Sequence, residues 1–136
     1  MSTDNNIAFV KDLYAAFNRG DLPYILERFA PEMGAFGVMA AGSNKAPWHV
    51  PGKRREDVAK YFEQLLSALE PISLAPTHYA AADDYVYATL DHAYKVRKNG
   101  KTLSFKNGFH RFKLRSGLVV EWIASEDTQL TIESLA

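Results

Sequence analysis

Apolar side chains recur along this chain with two periods, and the change from one to the other divides it. Near the N-terminus they return every three or four residues. Ile7, Val10, Leu13, Tyr14 and Phe17 therefore share one face of a helix, capped by Thr3 or Asp4 and running to about Arg19. Gly20 can adopt the left-handed conformation that ends it. Asp21 caps a shorter helix with Pro23 in its first turn, where no intrahelical donor is lost, and Pro31 ends it. A third helix, from about Arg54 to Leu69, carries Val58, Tyr61, Phe62, Leu65, Leu66 and Leu69 on its apolar side and is closed by Pro71.

From Tyr85 the period becomes two. Val86, Ala88, Leu90, His92, Tyr94 and Val96 line one face of a strand, while Tyr85, Tyr87 and Ala93 line the other. Three such runs, Tyr85–Val96, Thr102–Leu114 and Leu118–Asp127, are separated by Lys98-Asn99-Gly100-Lys101 and by Arg115-Ser116-Gly117. Asn-Gly predicts a type I′ hairpin turn, and the second break predicts a short loop with one left-handed residue. The result is a three-stranded antiparallel meander. Met33 to Ala40 adds a strand bent at Gly34 and Gly37, and Ile72 to Ala82 adds another that Pro76 confines to an edge or a bulge. Gly42 to Pro51 is the longest loop, and Leu130, Ile132 and Leu135 dock on the body as an apolar remnant. Helices followed by a mostly antiparallel sheet make an α+β domain with the helices on one face. The meander has apolar groups on both faces, so it needs cover twice, and a second copy of the chain is the expected second cover.

Composition narrows the function. The 136 residues suit a single domain, residues 1–136, with no repeat or linker. Sixteen basic and sixteen acidic side chains cancel, so no field recruits nucleic acid or an anionic membrane. The chain has no cysteine, which removes thiol nucleophiles, disulfides and thiolate metal sites and fits a reducing compartment. No stretch has the basic start and apolar core of a signal peptide or the length of a membrane span, so the expected location is the cytoplasm. No two histidines have metal-pair spacing, and there is no G-x-S-x-G, P-loop or G-x-G-x-x-G. No metal or cofactor is expected.

Three segments carry a family resemblance: Tyr14-Ala15-Ala16-Phe17-Asn18-Arg19-Gly20-Asp21; Ala46-Pro47-Trp48 with Pro51-Gly52-Lys53, Asp57-Val58 and Tyr61-Phe62; and Gly117-Leu118-Val119-Val120 with Glu126-Asp127-Thr128. In this order they resemble the NTF2-like superfamily, specifically its SnoaL-like and ketosteroid-isomerase-related members. The resemblance implies an NTF2-like cone, with three N-terminal helices packed on a curved sheet around an apolar pocket, and a homodimer through the outer sheet face. It also sets tests that this chain fails. The ketosteroid-isomerase tyrosine falls on Leu13 and its aspartate near Gly37. The Arg-x-Asp and the last-strand Asp of limonene-epoxide-hydrolase-like members fall on Leu90, His92 and Ala124, and Ala124 likewise stands where SnoaL-like cyclases keep an acid.

His92 is left where the family keeps a pocket acid or base, and its apolar face-mates Ala88, Leu90 and Tyr94 would hold it neutral. The bland reading is a histidine hydrogen-bonded in the core. Tyr14 is the second candidate catalytic residue, with its hydroxyl in the pocket. Trp48, His49, Leu90, Tyr94, Asn107, Trp122 and Ala124 are the candidate substrate contacts, Asn107 on condition that the strand bulges at Gly108. His78 and His110 read as structural or solvated, Phe105 and Phe109 as core, Glu126 and Asp127 mainly as a structural cap with reach into the pocket as the second reading, and Lys53-Arg54-Arg55 as a solvated turn that a carboxylate or sulfate could exploit. The implied function is binding of a small, apolar, ring-containing molecule, either with cofactor-free isomerase, cyclase or dehydratase chemistry or as a plain binding module. A dimerising scaffold without a ligand is the third reading.

Overall fold

The computed structural model describes residues 2–38, 46–49 and 51–136. Its elements are α1 (Thr3–Asn18), α2 (Leu22–Glu27), β1 (Glu32–Val38), β2 (Gly52–Arg54), α3 (Arg55–Ala68), β3 (Leu69–Ala82), β4 (Tyr85–Val96), β5 (Thr102–Arg115), β6 (Leu118–Ser125) and α4 (Thr128–Leu135). The expected end of the first strand at Ala40 and half of the Gly42–Pro51 loop lie outside the described residues.

Local chemistry sets the boundaries. Ser2, rather than Thr3 or Asp4, caps α1, its Oγ accepting from the backbone N of Asn5 at 3.1 Å. Asp21 caps α2 through Tyr24 N at 3.2 Å. Asp57 reaches back to accept from Lys53 N and Arg54 N, at 2.9 and 3.0 Å, and starts α3. The solvated turn expected at Lys53-Arg54-Arg55 is exposed only in its first two members. Arg55 is half-buried and donates both Nε and Nη2 to the carbonyl of Phe29, tying α3 to the end of α2. The apolar remnant after Thr128 is the helix α4, capped by Asp127.

The six strands run in the order β2-β1-β6-β5-β4-β3, and β1 pairs with β6 in parallel while the other pairings are antiparallel. β3 is the edge its two prolines require, and its register slips between Pro71 and Ser73 and again between Pro76 and His78. The turns exchange the types expected of them. At the first, only Gly100 has positive φ, and its N–H reaches back to the Val96 carbonyl at 2.8 Å in a wider loop. At the second, Ser116 (φ 53°) and Gly117 (φ 75°) are both left-handed between the paired Arg115 and Leu118, as a type I′ turn demands.

The decisive irregularity lies in β5. Leu90 pairs with Gly108 and His92 with Phe105, so Lys106 and Asn107 both stand opposite Asp91. Asn107 takes φ 56° and gives its backbone N–H to Asp91 Oδ1 at 3.0 Å. This bulge reverses the alternation. Leu103 and Phe105 point inward before it; Gly108, His110, Phe112 and Leu114 point inward after it. One expectation is thereby corrected: Phe109, read as core, is 36% exposed on the outer face. His110, read as structural or solvated, takes the structural alternative and is buried. A second slip, where Lys113 pairs with Glu121 but Leu114 with Val119, leaves Val119 rather than Val120 in the core with Trp122. The inward face packs under α1 and α3, which contribute Val10, Leu13, Tyr14, Val58, Phe62 and Leu65.

Candidate functional site

Packing between α1, α3 and the sheet is incomplete. A narrow cavity, open at one side, runs between them. Its walls are mainly aromatic: Phe17 from α1, Tyr61 and Phe62 from α3, Trp48 from the preceding segment, and Phe105, Phe112 and Trp122 from the sheet. Trp122 stacks on Phe62 at 5.8 Å and on Phe112 at 5.9 Å, and its indole Nε1 is buried without a hydrogen-bond partner among the described residues. Such walls suit flat apolar rings.

Two histidines interrupt them. His92 follows from the alternation of β4, and its Nδ1 lies 2.9 Å from the hydroxyl of Tyr94, the next residue on the same face. The imidazole stacks on Phe105 at 4.6 Å, and Nε2 overhangs Gly108, where an added Cβ would sit 3.0 Å away. Glycine at 108 is what lets the ring lie there. His110 owes its place to the bulge, and its Nδ1 lies 2.8 Å from the hydroxyl of Tyr14, on α1. Tyr14 stacks on the same imidazole at 5.8 Å.

Burial fixes the charge states. It lowers the pKa of His92, against opposing pulls from Glu126 and Asp91. It pushes that of His110 down to about 3, with the neighbouring His92 adding to the effect. Both imidazoles are therefore neutral at pH 7. Burial also raises the phenols of Tyr14, Tyr61 and Tyr94 above their ordinary values, so all three remain proton donors. Each hydroxyl has one proton. Where the histidine Nδ1 carries its own hydrogen, the tyrosine oxygen accepts it and the phenol proton is free for a guest.

Two residues next to β6 complete the far end. Glu126 lines the cavity two positions after Ala124, and its side chain is 9% exposed. Its Oε2 accepts from Thr131 Oγ1 of α4 at 2.8 Å and lies 3.8 Å from Nε2 of His49, whose side chain is wholly enclosed.

The structure thus brings Tyr14, Trp48, His92, Tyr94, Trp122 and Ala124 to one cavity. His49 is buried behind Glu126 rather than on the wall. Leu90 is buried beneath the cavity without lining it. Asn107 is exposed on the outer face; the bulge that was its condition exists, one residue earlier, and turns it outward. His78 is exposed at the edge strand. Sequence reasoning put neither His110 nor Glu126 among its candidate site residues: His110 was read as structural or solvated, and Glu126 mainly as a cap, with the pocket as its second reading. The first was signalled by Asn107-Gly108, a pair suited to positive φ inside a strand. The second was signalled by parity, since Trp122, Ala124 and Glu126 are spaced by two. Among the described residues no group of three His, Asp or Glu side chains could hold a metal ion, and no helix is long and apolar enough to cross a membrane.

Comparison with known proteins agrees with this architecture. A family model described as a SnoaL-like domain matches residues 10–122. The chain is similar to an NTF2-like protein of unknown function from Burkholderia pseudomallei, with a TM-score of 0.84, 23% identity, and coverage of 100% of this chain and 99% of that one. It is similar to TerC, co-crystallised with polyporic acid, with a TM-score of 0.80, 20% identity, and coverage of 96% and 97%. It is also similar to a proposed SnoaL-like polyketide cyclase from Mesorhizobium loti, with a TM-score of 0.68, 12% identity, and coverage of 87% and 96%. At such identities the likeness is one of fold. None of the curated proteins compared matches the chain in sequence.

Proposed function

The chain belongs to the SnoaL-like family, and from that premise we propose that its cavity takes up a small, largely apolar, ring-containing molecule and moves a proton on it without a cofactor. The observation that carries this reading is the His92–Tyr94 pair, 2.9 Å apart on the wall of an aromatic cavity. In the proposed step a carbon next to a carbonyl gives its proton to the neutral imidazole of His92. The C–H electron pair becomes the new carbon–carbon double bond, and the carbonyl oxygen takes the negative charge. The Tyr94 phenol donates a hydrogen bond to that oxygen, and return of the proton to another carbon completes an isomerisation. The same first step serves a cyclase or a dehydratase.

A second reading has its own support. His92 and Ala124 stand where limonene-epoxide-hydrolase-like members carry acids, which favours a binding module that holds the same guest without turnover. Deuterium exchange at the α-carbon of bound steroid, polyketide-fragment and terpenoid ketones separates the two. His92→Ala should abolish exchange while the ketone still quenches Trp48 and Trp122 fluorescence. Exchange at the wild-type rate in that variant removes His92 from the step, and quenching without exchange in the wild type leaves the binding module. The other face of the sheet carries Tyr85, Tyr87 and Phe109 with ring centroids 6.3 and 6.1 Å apart. A second copy of the chain is its proposed cover, a proposal that sedimentation as a monomer at micromolar concentration would remove.

A further inference from the structure

The charges on the cavity wall restrict what polar group a guest can carry. Among the described lining residues there is no lysine or arginine, and Glu126 is the one carboxylate. Its geometry is fixed from behind. Thr131 Oγ1 and the enclosed His49 both address Oε2, which leaves Oε1 outside both contacts. His49, 3.8 Å from the same carboxylate, stands outside the lining. The other two imidazoles, His92 and His110, are neutral. The remaining wall is aromatic, with Trp48, Tyr61 and Tyr94 at the Glu126 end, and the faces of such rings are electron-rich. A second buried anion placed here would meet Glu126 in a medium that screens charge poorly, with no lysine or arginine among the described lining residues to offset it. A protonated amine or a hydroxyl would instead satisfy Oε1, and an ammonium would also gain from the ring faces.

We infer that the cavity sorts its ligands by charge: it takes ring compounds whose polar end is a protonated amine or a hydroxyl donating to Glu126, and it refuses their carboxylate counterparts. This rests on the reading of the cavity as a ring-binding site. The test is a matched set of probes at pH 7.5: 2-phenylethylamine, 2-phenylethanol, phenylacetate and the uncharged parent ethylbenzene. Dissociation constants come from tryptophan quenching, with melting temperature as a second readout. In the wild type the amine and the alcohol should bind at least about tenfold tighter than phenylacetate, a gap set by one like-charge contact in place of one donor. Glu126→Gln should bring all three to within about threefold of each other. The wild-type order decides the matter by itself if that variant does not fold. Phenylacetate binding as tightly as the alcohol, or an unchanged order in a folded Glu126→Gln protein, overturns the inference. Binding of ethylbenzene with no preference among its polar relatives overturns the charge sorting but spares the ring site. Failure of all four probes to bind overturns the ring site, and the sorting falls with it.

Discussion

The cavity wall carries two tyrosine–histidine pairs with nearly the same hydrogen-bond length and different construction. His92 and Tyr94 stand two residues apart on β4, so a regular strand alone sets them side by side. Tyr14 and His110 are 96 residues apart, and their bond of 2.8 Å joins α1 to β5 across the core. It needs the helix docked, the sheet paired and the bulge at Lys106–Asn107 in place. His110 is also held by more rings, with Phe112 at 6.0 Å and Trp122 at 5.5 Å besides Tyr14, whereas His92 touches Tyr94 and Phe105. The local pair is the better placed for the proposed chemistry, because removing it breaks no hydrogen bond between elements. The long-range pair holds together the wall that the local one shares.

Truncating each imidazole breaks that comparison most directly. His110→Ala leaves a hole among three rings and a buried Tyr14 hydroxyl without its hydrogen-bond partner, and it should cost about 3 kcal/mol of unfolding free energy in denaturant titration. His92→Ala removes a bond within one strand and should cost about 1 kcal/mol. Equal losses would erase the distinction between a structural and a functional pair.

Acid should find the same difference. His110 is lowered to about 3 in the folded chain, so between its unfolded value near 6.5 and pH 3 only the unfolded state takes up its proton. Its contribution is therefore intact above pH 6.5 and drains away as the pH falls, at up to about 1.4 kcal/mol per unit. The groups facing it are Tyr14 from α1, His92 from β4 and Trp122 from β6, none of them an acid that could hold an imidazolium. His92 is lowered in the same direction, but Glu126 and Asp91 pull against the shift, so its share is smaller. His110→Gln, which can still bond Tyr14, should flatten the stability profile between pH 6.5 and 4 more than His92→Gln does.

What was legible in the sequence follows the same divide between local and long-range. β4 has no slip within its own inward face, so Val86 through Val96 reads directly from alternation, with His92 and Tyr94 on it. Capping by Asp21 and the edge position enforced by Pro71 and Pro76 are equally local. β5 defeats alternation because a single extra residue inverts every face assignment beyond it. Phe109 and His110 therefore exchange faces. Glu126 lies past the last residue of β6, where the period has formally ended although its parity continues. Its role as a wall residue depends on Thr131 of α4 and on His49, both distant from strand patterning. The turn types were misassigned for a subtler reason: Asn99-Gly100 and Ser116-Gly117 both offer a glycine, and strand pairing, not the dipeptide, decides which loop closes in two residues.

The smallest effect sharpens the comparison furthest, because it addresses the bulge without touching either pair. Asn107 sits at φ 56° with an exposed side chain, and its backbone N–H, not its amide, bonds Asp91. Asparagine tolerates this region better than other side-chain-bearing residues, and glycine occupies it without strain. Asn107→Gly should thus leave stability within about 0.5 kcal/mol, strain relief offsetting the entropy that glycine adds to the unfolded chain. Asn107→Val demands the same φ of a β-branched residue and should cost about 1–2 kcal/mol. If the backbone conformation at 107 is what turns His110 inward, valine should lower the stability of the Tyr14–His110 link together with the fold. The His110 imidazole should then titrate at a higher pH by NMR in the valine variant and stay unchanged in the glycine one. An identical titration in both variants would mean that the rings around His110 hold it inward and the bulge merely follows.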